Sequence, residues 1–235
     1  MKNLIRIKSC REGRRCGHIY ACKTCGTIYQ KRKFLEHFNN IKIDFNSLTY
    51  IVLKSKYTGS LKDKIEPLFA YLNDIRMLKK RGKICGDYFI RLEVSFSKFY
   101  AGFHPHINII ALDDSLDAFI STSQAHNLLI YKRQKQANIN VLKSIGWYIL
   151  KFNNMNIEQG EAVRKAIKKR NTILYSEAFR HKNYTDELTQ IDFSFLGVYP
   201  IRSKEEIALR KERKKIVRKY NKLIKEQQQK FLKNF

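Results

Sequence analysis

The sequence lacks the long apolar run that a membrane-spanning helix requires. No stretch approaches the roughly 18 consecutive apolar residues that such a helix needs. The basic residues 1–15 contain no apolar segment of the kind that defines a signal peptide. A phosphate-binding loop of the pattern Gly-x-x-x-x-Gly-Lys-Ser/Thr is also absent. These absences predict a cytoplasmic protein with no membrane partner, and they exclude an ATP-driven helicase of the P-loop class.

Acidic residues are scarce. The chain has 21 Asp and Glu against 47 Lys and Arg, so its formal charge is +26. Such an excess predicts a polyanionic partner, foremost nucleic acid, whose binding weakens with salt. An anionic membrane surface is the alternative partner. The 235 residues suffice for one ordinary domain with small appendages, and we expect a cysteine-rich segment over 1–40, a main domain over 41–200 and a basic helical tail over 201–235.

Cysteines are few but clustered. Four of the five lie between Cys10 and Cys25, which favours metal over disulfides in a reducing compartment. The two-residue spacing of Cys22 and Cys25 is typical of a turn that grips one zinc ion. Cys10, Cys16 and His18 are three candidates for the other two ligands. The alternatives are a redox dithiol or free buried cysteines.

Apolar periodicity predicts an α+β fold with a mainly antiparallel sheet. The order strand, helix, strand, strand indicates helices on one face of that sheet. Strands are expected over 45–54, 88–96, 103–112 and, more briefly, 139–141. Helices are expected over 28–38, 61–80, 142–152 and 161–180.

Three polar residues alternate along the strand over 103–112. His104, His106 and Asn108 project from one side of it, because successive side chains on a strand point to opposite faces. If this strand pairs with the one over 88–96 as a hairpin, Glu93 can share that face. Two imidazoles and a carboxylate on one face predict a divalent metal site. The alternative is a pair of ordinary surface histidines.

Tyr148 and Lys151 lie three residues apart in the helix predicted over 142–152, so they neighbour each other on one face. A lysine beside a phenol can stabilise a phenolate, or the phosphate that a phenolate attacks. The pair alone is a weak signal, because the spacing occurs by chance in lysine-rich helices. The alternative is an ordinary core or surface tyrosine.

Taken together, several motifs between about residues 16 and 153 resemble those of the replication initiator (Rep) proteins of rolling-circle plasmids, a branch of the HUH endonucleases. The motifs, in chain order, are Cys22-Lys-Thr-Cys25, Ser47-Leu-Thr-Tyr50, Gly86 followed by Arg91-Leu-Glu-Val-Ser95, Phe103-His-Pro-His-Ile-Asn108 and Tyr148-Ile-Leu-Lys151. Each motif is common by itself, whereas their joint order and spacing are specific.

The resemblance implies a palm-like antiparallel sheet with flanking helices. It also implies a divalent ion, Mg²⁺ or Mn²⁺, held by His106 with Glu93, His104 and Asn108 as candidate co-ligands. The family usually has a third histidine at the position of Asn108. An asparagine there can ligate through its carbonyl oxygen, but more weakly.

The resemblance further implies a reaction. Tyr148 would attack a phosphodiester of single-stranded or extruded origin DNA, leaving a 5′-phosphotyrosyl link and a 3′-OH for a host polymerase, with a host helicase as a further partner. Lys151 would balance charge, and rejoining would need a second tyrosine or a water activated by an acid such as Glu158. Glu158 is equally well interpreted as a solvated helix carboxylate. The alternative functions are a non-catalytic, zinc-containing DNA-binding regulator, or a single-strand transposase or mobilisation relaxase of the same superfamily.

Overall fold

The structure, a computed structural model, describes residues 10, 16–38, 41, 43, 48–97, 102–136, 139–151 and 155–180. The basic tail expected over 201–235 lies outside these residues. The helices are α1 (Lys23–His37), α2 (Leu61–Lys80), α3 (Leu116–Ala125), α4 (Ile139–Ile149) and α5 (Ile157–Ile167), with short 3-10 helices at Asp113–Ser115 and Glu177–Phe179. The strands are β1 (Leu48–Ser55), β2 (Tyr88–Ser97), β3 (Gly102–Leu112), β4 (Leu128–Gln136) and β5 (Ile173–Tyr175).

The strands form one five-stranded sheet in the order β4-β1-β3-β2-β5. All its neighbouring strands run antiparallel. The expected α+β class with an antiparallel sheet is therefore confirmed. The strand β3, which carries the two histidines, is the central strand, so both of its edges are occupied. Within the described residues, no helix has the length and apolarity needed to cross a bilayer.

Helices cover both faces of the sheet. Ile51, Ile107 and Ile109 point to one face, into a core completed by α2, α3 and α5. Tyr50 and Ile110 point to the other face, into a core completed by α1 and α4. The prediction of helices on one face only was wrong. The nearly continuous apolar run of β1, which is buried through its first six residues, is typical of a strand covered on both sides.

Helix α2 occupies the span predicted from its apolar spacing, Leu61–Lys80. Its start is fixed by a capping box, in which the Ser60 side chain accepts from the backbone of Asp63 and the Asp63 carboxylate accepts from the backbone of Ser60. Its apolar stripe, including Leu68 and Leu72, is fully buried against the sheet.

Two predicted elements differ in the structure. The strand expected over 139–141 is the first turn of α4, which begins at Ile139. The helix expected over 161–180 ends at Ile167, because Lys168 and Lys169 adopt left-handed backbone conformations with φ of 47° and 63°. The chain then turns back as the short strand β5, which pairs with β2.

Candidate active site

The polar residues of β2 and β3 share one face at the same end of the sheet. Residues that oppose each other across an antiparallel pair lie on the same face. The opposed pairs are Arg91 with Asn108, Glu93 with His106, and Ser95 with His104. The face shared by Glu93 and the histidines, expected from alternation, is thus present.

Glu93 is the centre of this group. One carboxylate oxygen, Oε2, lies 3.3 Å from His106 Nε2 and accepts a 3.3 Å hydrogen bond from Asn108 Nδ2. The other, Oε1, lies 3.6 Å from Lys151 Nζ. Burial alone would raise the pKa of Glu93, but the hydrogen bond from His106 and the charges of His106, Lys151 and Arg91 outweigh it and lower the pKa to about 2. Glu93 is therefore a buried carboxylate that stays ionised at neutral pH.

Tyr148 stands at the exposed end of this group. Helix α4 ends at Ile149, so Lys151 follows the helix instead of lying on it, and its backbone N–H bonds to the Tyr148 carbonyl at 3.1 Å. The turn brings Lys151 Nζ to 3.7 Å from the centroid of the Tyr148 ring. The Tyr148 side chain is 46% exposed, which leaves it open to a large substrate.

The end of α4 is held in place by two polar contacts. The Arg91 guanidinium donates to the carbonyl of Ile149, the last residue of the helix. The Gln30 side chain, from α1, donates to the Trp147 carbonyl at 3.0 Å. A cation at a helix C-terminus also complements the helix dipole. These contacts fix Tyr148 relative to the sheet.

Asn108 is almost fully buried and is hydrogen-bonded on both sides of its amide. Its Oδ1 accepts a 2.7 Å hydrogen bond from the Tyr50 hydroxyl, and its Nδ2 donates to Glu93. Burial, followed by the nearby Tyr148 and Glu93, raises the pKa of Tyr50, so its phenol remains a donor. The oxygen that would ligate a metal is thus engaged by Tyr50.

His104 lies two register pairs beyond His106, on the same face and towards the hairpin end. Its pKa is lowered, chiefly by burial and then by the charges of Lys64, Lys54 and His106. The backbone carbonyl of His104 contacts His106 Nδ1 at 3.1 Å. Because a carbonyl only accepts, His106 Nδ1 donates this hydrogen bond, which orients the ring with Nε2 towards Glu93.

Glu93 and His106 provide two donors suited to a divalent ion. Ligands about 2.1 Å from an octahedral Mg²⁺ lie about 3.0 Å apart at adjacent positions, close to the 3.3 Å that separates Glu93 Oε2 from His106 Nε2. Among the described side chains, no further His, Cys, Asp or Glu donor joins these two in a compact cluster. The arrangement fits an ion with two protein ligands and the remainder from water and substrate, as Mg²⁺ commonly has.

Glu158 lies elsewhere. It is exposed in the first turn of α5. The buried residues of that helix, Val163 and Ile167, belong to the core on the face of the sheet opposite Glu93. This placement favours the interpretation of Glu158 as a solvated helix carboxylate.

The N-terminal cysteines converge as predicted. The Sγ atoms of Cys10, Cys16, Cys22 and Cys25 all lie within 4.8 Å of one another. Cys25 Sγ is 3.5 Å from that of Cys10 and 3.6 Å from that of Cys16. In a tetrahedral zinc site with Zn–S bonds of about 2.3 Å, sulfur atoms are about 3.8 Å apart. The cluster is therefore compatible with zinc.

The structure separates His18 from this cluster. Its Nδ1 lies 3.3 Å from Glu161 Oε1 on α5. The four cysteines thus offer enough ligands for a four-coordinate zinc ion without His18. Burial alone would raise the pKa of Cys25, but hydrogen bonds from the Gly17 backbone and from the thiols of Cys10 and Cys16 lower it, which favours a thiolate there.

A cleft opens between the cysteine segment and strand β2, beside Glu93. Tyr20 and Tyr29 line it from the cysteine segment and α1, and Arg91, Glu93 and Lys151 line it from the site. The cysteine segment and Glu93 therefore border the same small cleft.

Sequence reasoning gave three residues of this region no role in the site, although Tyr50 and Arg91 belong to the quoted motifs. Lys54, on β1, lies directly opposite His106, and Tyr50 lies two pairs further along the same face. Arg91 alternates with Glu93 on β2 and could have been found from that spacing. Lys54 and Tyr50 could have been found only by pairing β1 with β3, which the sequence order alone does not specify.

No family model matches the chain, and no curated protein or solved structure matches it either. The function must therefore be inferred from the site itself. That site joins an exposed phenol, an ammonium group, an ionised carboxylate and an imidazole in one continuous set of contacts. Such a set can bind an anionic ester and place a nucleophile beside it.

Proposed function

We propose that this protein is a metal-dependent tyrosine DNA endonuclease and strand transferase that initiates rolling-circle replication of a plasmid. One observation carries the proposal: Tyr148 and Lys151 adjoin Glu93 and His106 through direct contacts. A nucleophile, a cation and a candidate metal site are what cleavage of a phosphodiester by a tyrosine requires.

The fold and the charge support the same proposal. The central strand of an antiparallel sheet carries the histidines, and helices flank the sheet, as the resemblance implies. The formal charge of +26 suits a nucleic-acid partner. We propose single-stranded or extruded origin DNA as the substrate, with a host helicase and polymerase acting afterwards.

In the proposed reaction, the Tyr148 oxygen attacks the phosphorus of the scissile phosphodiester. The bond from phosphorus to the tyrosine oxygen forms, and the bond from phosphorus to the 3′ oxygen breaks. The phenol proton passes to solvent, and the departing 3′ oxygen takes a proton from water to become a 3′-OH. Lys151, beside the Tyr148 ring, balances negative charge on the phosphate. Because the ester energy is retained in the phosphotyrosyl link, the strand can be rejoined without ATP.

His106 and Glu93 would hold the divalent ion, Mg²⁺ or Mn²⁺. When bound, the ion would polarise the scissile phosphate and neutralise its charge. The hydrogen bond from His106 Nδ1 to the His104 carbonyl orients the ring so that Nε2 faces the ion site. Lys151 reaches Glu93 from the other side and keeps that carboxylate in position.

One observation favours a second candidate function. The Oδ1 of Asn108 is bonded to the Tyr50 hydroxyl, which withdraws the third candidate ligand from the metal site. A metal site that lacks its third ligand is what we expect of a non-catalytic, zinc-containing DNA-binding regulator. Such a regulator would bind DNA in a salt-sensitive manner and would form no covalent adduct.

A covalent-adduct assay tests the proposal. The protein is mixed with single-stranded oligonucleotides that tile its own replicon, with Mg²⁺ or Mn²⁺, and is then run on a denaturing gel. We expect an adduct with wild type and none with Tyr148→Phe, because the phenylalanine lacks the attacking oxygen. Tyr57→Phe is the matched control, since Tyr57 is also exposed, at 55%, and lies outside the contacts of the site.

The outcomes separate the two candidates. An adduct that persists in Tyr148→Phe would show that another residue is the nucleophile. If the protein binds DNA but forms no adduct with any oligonucleotide, in Mg²⁺ or in Mn²⁺, the endonuclease is excluded and the regulator is favoured.

A further inference from the structure

A second pairing of a tyrosine with a lysine lies on the opposite side of His106 from Glu93. In the sheet, β1 borders one edge of β3 and β2 borders the other. Lys54 on β1 is the register partner of His106, as Glu93 is on β2. Lys54 Nζ lies 3.5 Å from the centroid of the Tyr131 ring, on β4. The order across the sheet is therefore Tyr131, Lys54, His106 and Glu93, and Lys151, which follows α4, contacts Glu93.

The position of Tyr131 depends on an irregularity in strand pairing. Val52 pairs with Lys132, whereas Leu53 pairs with Ile130, so Tyr131 is an extra residue with no partner in the register. Such a bulge redirects a side chain, and bulges are frequent next to functional sites. The Tyr131 side chain is 62% exposed, the highest value among the large apolar side chains described. The exposed part of this ring, on an edge strand, is accessible to a ligand.

The charge beside this ring suits a polyanion. Lys54 is half-buried, and burial lowers its pKa. Lys54 is also the register partner of His106, which places it beside the strand that carries the histidines. A lysine next to an open aromatic ring is the combination that single-strand binding proteins use, with the cation on the phosphate and the ring under a base.

We propose that Tyr131 and Lys54 form a binding subsite for an unpaired nucleotide of single-stranded DNA. The base stacks on the face of the Tyr131 ring that Lys54 does not cover, and its phosphate contacts Lys54. Strands β4 and β3 are two spacings apart, roughly 10 Å, so this nucleotide lies within a few positions of the phosphate at His106. The inference rests on the proposed function for its substrate class, and it assigns a binding role to residues outside the nucleophile and the metal site.

The test measures affinity for a fluorescent single-stranded oligonucleotide by anisotropy, using the full chain. We expect Tyr131→Ala to weaken binding about tenfold, the usual loss for one stacked base. Tyr131→Phe keeps the ring and is expected to bind within about twofold of wild type. Ile130→Ala is the matched control, because Ile130 is the adjacent residue of β4, is 42% exposed and pairs with Leu53, whose side chain points into the opposite core. Unchanged circular dichroism and unfolding midpoints confirm that the variants fold.

The adduct assay separates failure of this inference from failure of the proposed function. With saturating DNA, Tyr131→Ala is expected to form the Tyr148 adduct and to differ only in the DNA concentration required. Wild-type affinity in Tyr131→Ala would overturn the subsite and leave the endonuclease intact. If Tyr131→Ala loses affinity and the wild-type protein forms no adduct, the subsite is supported and the endonuclease is excluded.

The phenylalanine variant distinguishes stacking from chemistry. If Tyr131→Phe binds normally but no longer rejoins the cleaved strand, the hydroxyl of Tyr131 takes part in the reaction, and the assignment of Tyr131 as a binding residue alone is overturned. If Tyr131→Phe both binds and rejoins as wild type does, the ring alone is required, as the subsite predicts.

Discussion

The carboxylate of Glu93 contacts His106, Asn108 and Lys151, so its charge state controls how these three side chains are held. Its pKa is about 2 in the folded protein, against an ordinary value of 4.5. A depressed pKa means that the ionised form stabilises the fold. That stabilisation is complete above pH 4.5 and is lost as the pH falls towards 2.

This linkage predicts a pH-dependent difference between wild type and Glu93→Gln. At 1.36 kcal/mol per pKa unit, the charge contributes on the order of 3 kcal/mol to the free energy of unfolding. Urea denaturation should show a wild-type advantage that is constant from pH 7 to about pH 5 and disappears between about pH 4.5 and 2. Glu158→Gln, an exposed control, should show no such difference. A Glu93→Gln difference that does not change with pH would mean that the charge has no net stabilising role.

Individual contacts of the site differ in how well the sequence predicts them. Alternation along two strands, with the assumption that they pair as a hairpin, was enough to place Glu93 on the same face as His106, whereas their direct opposition required the register of the pair. The bond from Tyr50 to Asn108 depends on which strand borders β3 on its other edge, and alternation does not specify that. The contact of Lys54 with Tyr131 depends on a bulge of one extra residue, which has no local sequence signature.

Helix α4 brings Tyr148 to the sheet, and its approach to α1 depends on Gly146. A Cβ atom at this position would lie closer than 3.0 Å to three atoms of the Phe38 ring. Phe38 is fully buried among Phe89 and Phe179, so its ring has little room to move. The close approach of the two helices therefore requires glycine.

We predict that Gly146→Ala destabilises the protein although alanine is the better helix former. The helix propensity gain is about 1 kcal/mol, whereas overpacking in a well-packed core costs about 1–3 kcal/mol. The net loss should appear in urea denaturation, together with slower adduct formation, because the helix that carries Tyr148 must shift. Lys143→Ala, on the same helix, should change neither quantity much. If Gly146→Ala has the wild-type free energy of unfolding and the wild-type rate of adduct formation, the Phe38 ring can move aside.

Helices and strands were predicted well where local sequence signals agreed, and poorly where pairing with a distant strand determines the secondary structure. For α2, apolar spacing and the Ser60–Asp63 cap point to the same boundaries. Strand β4 was not predicted, since much of its sequence is polar, Lys-Arg-Gln-Lys-Gln, and it forms by pairing with β1 at the edge of the sheet. Ile139 and Val141 have a high strand propensity, which predicts a strand over 139–141, but these residues form the first turn of α4.

The cysteine segment is joined to the rest of the described chain through α5. His18 contacts Glu161, and a Cβ atom at Gly160 would lie 2.9 Å from that of Ala21. The same segment supplies Tyr20 to the cleft beside Glu93. The sequence predicted the cluster from Cys22 and Cys25, but the choice of Cys10 and Cys16 over His18 required the position of α5.

We predict that zinc bound by the four cysteines supports both stability and the cleft. Metal analysis of pure wild type should give one zinc per chain, and Cys22→Ser should lose it. Loss of a structural metal removes folding free energy, so the melting temperature of Cys22→Ser should fall by roughly 5–10 °C. Its affinity for single-stranded DNA should also fall, because the segment that carries Tyr20 is no longer held. Cys85→Ser is the matched control, since Cys85 is exposed and outside the cluster. Wild type without zinc, or Cys22→Ser indistinguishable from Cys85→Ser, would show that the thiols are not a metal site.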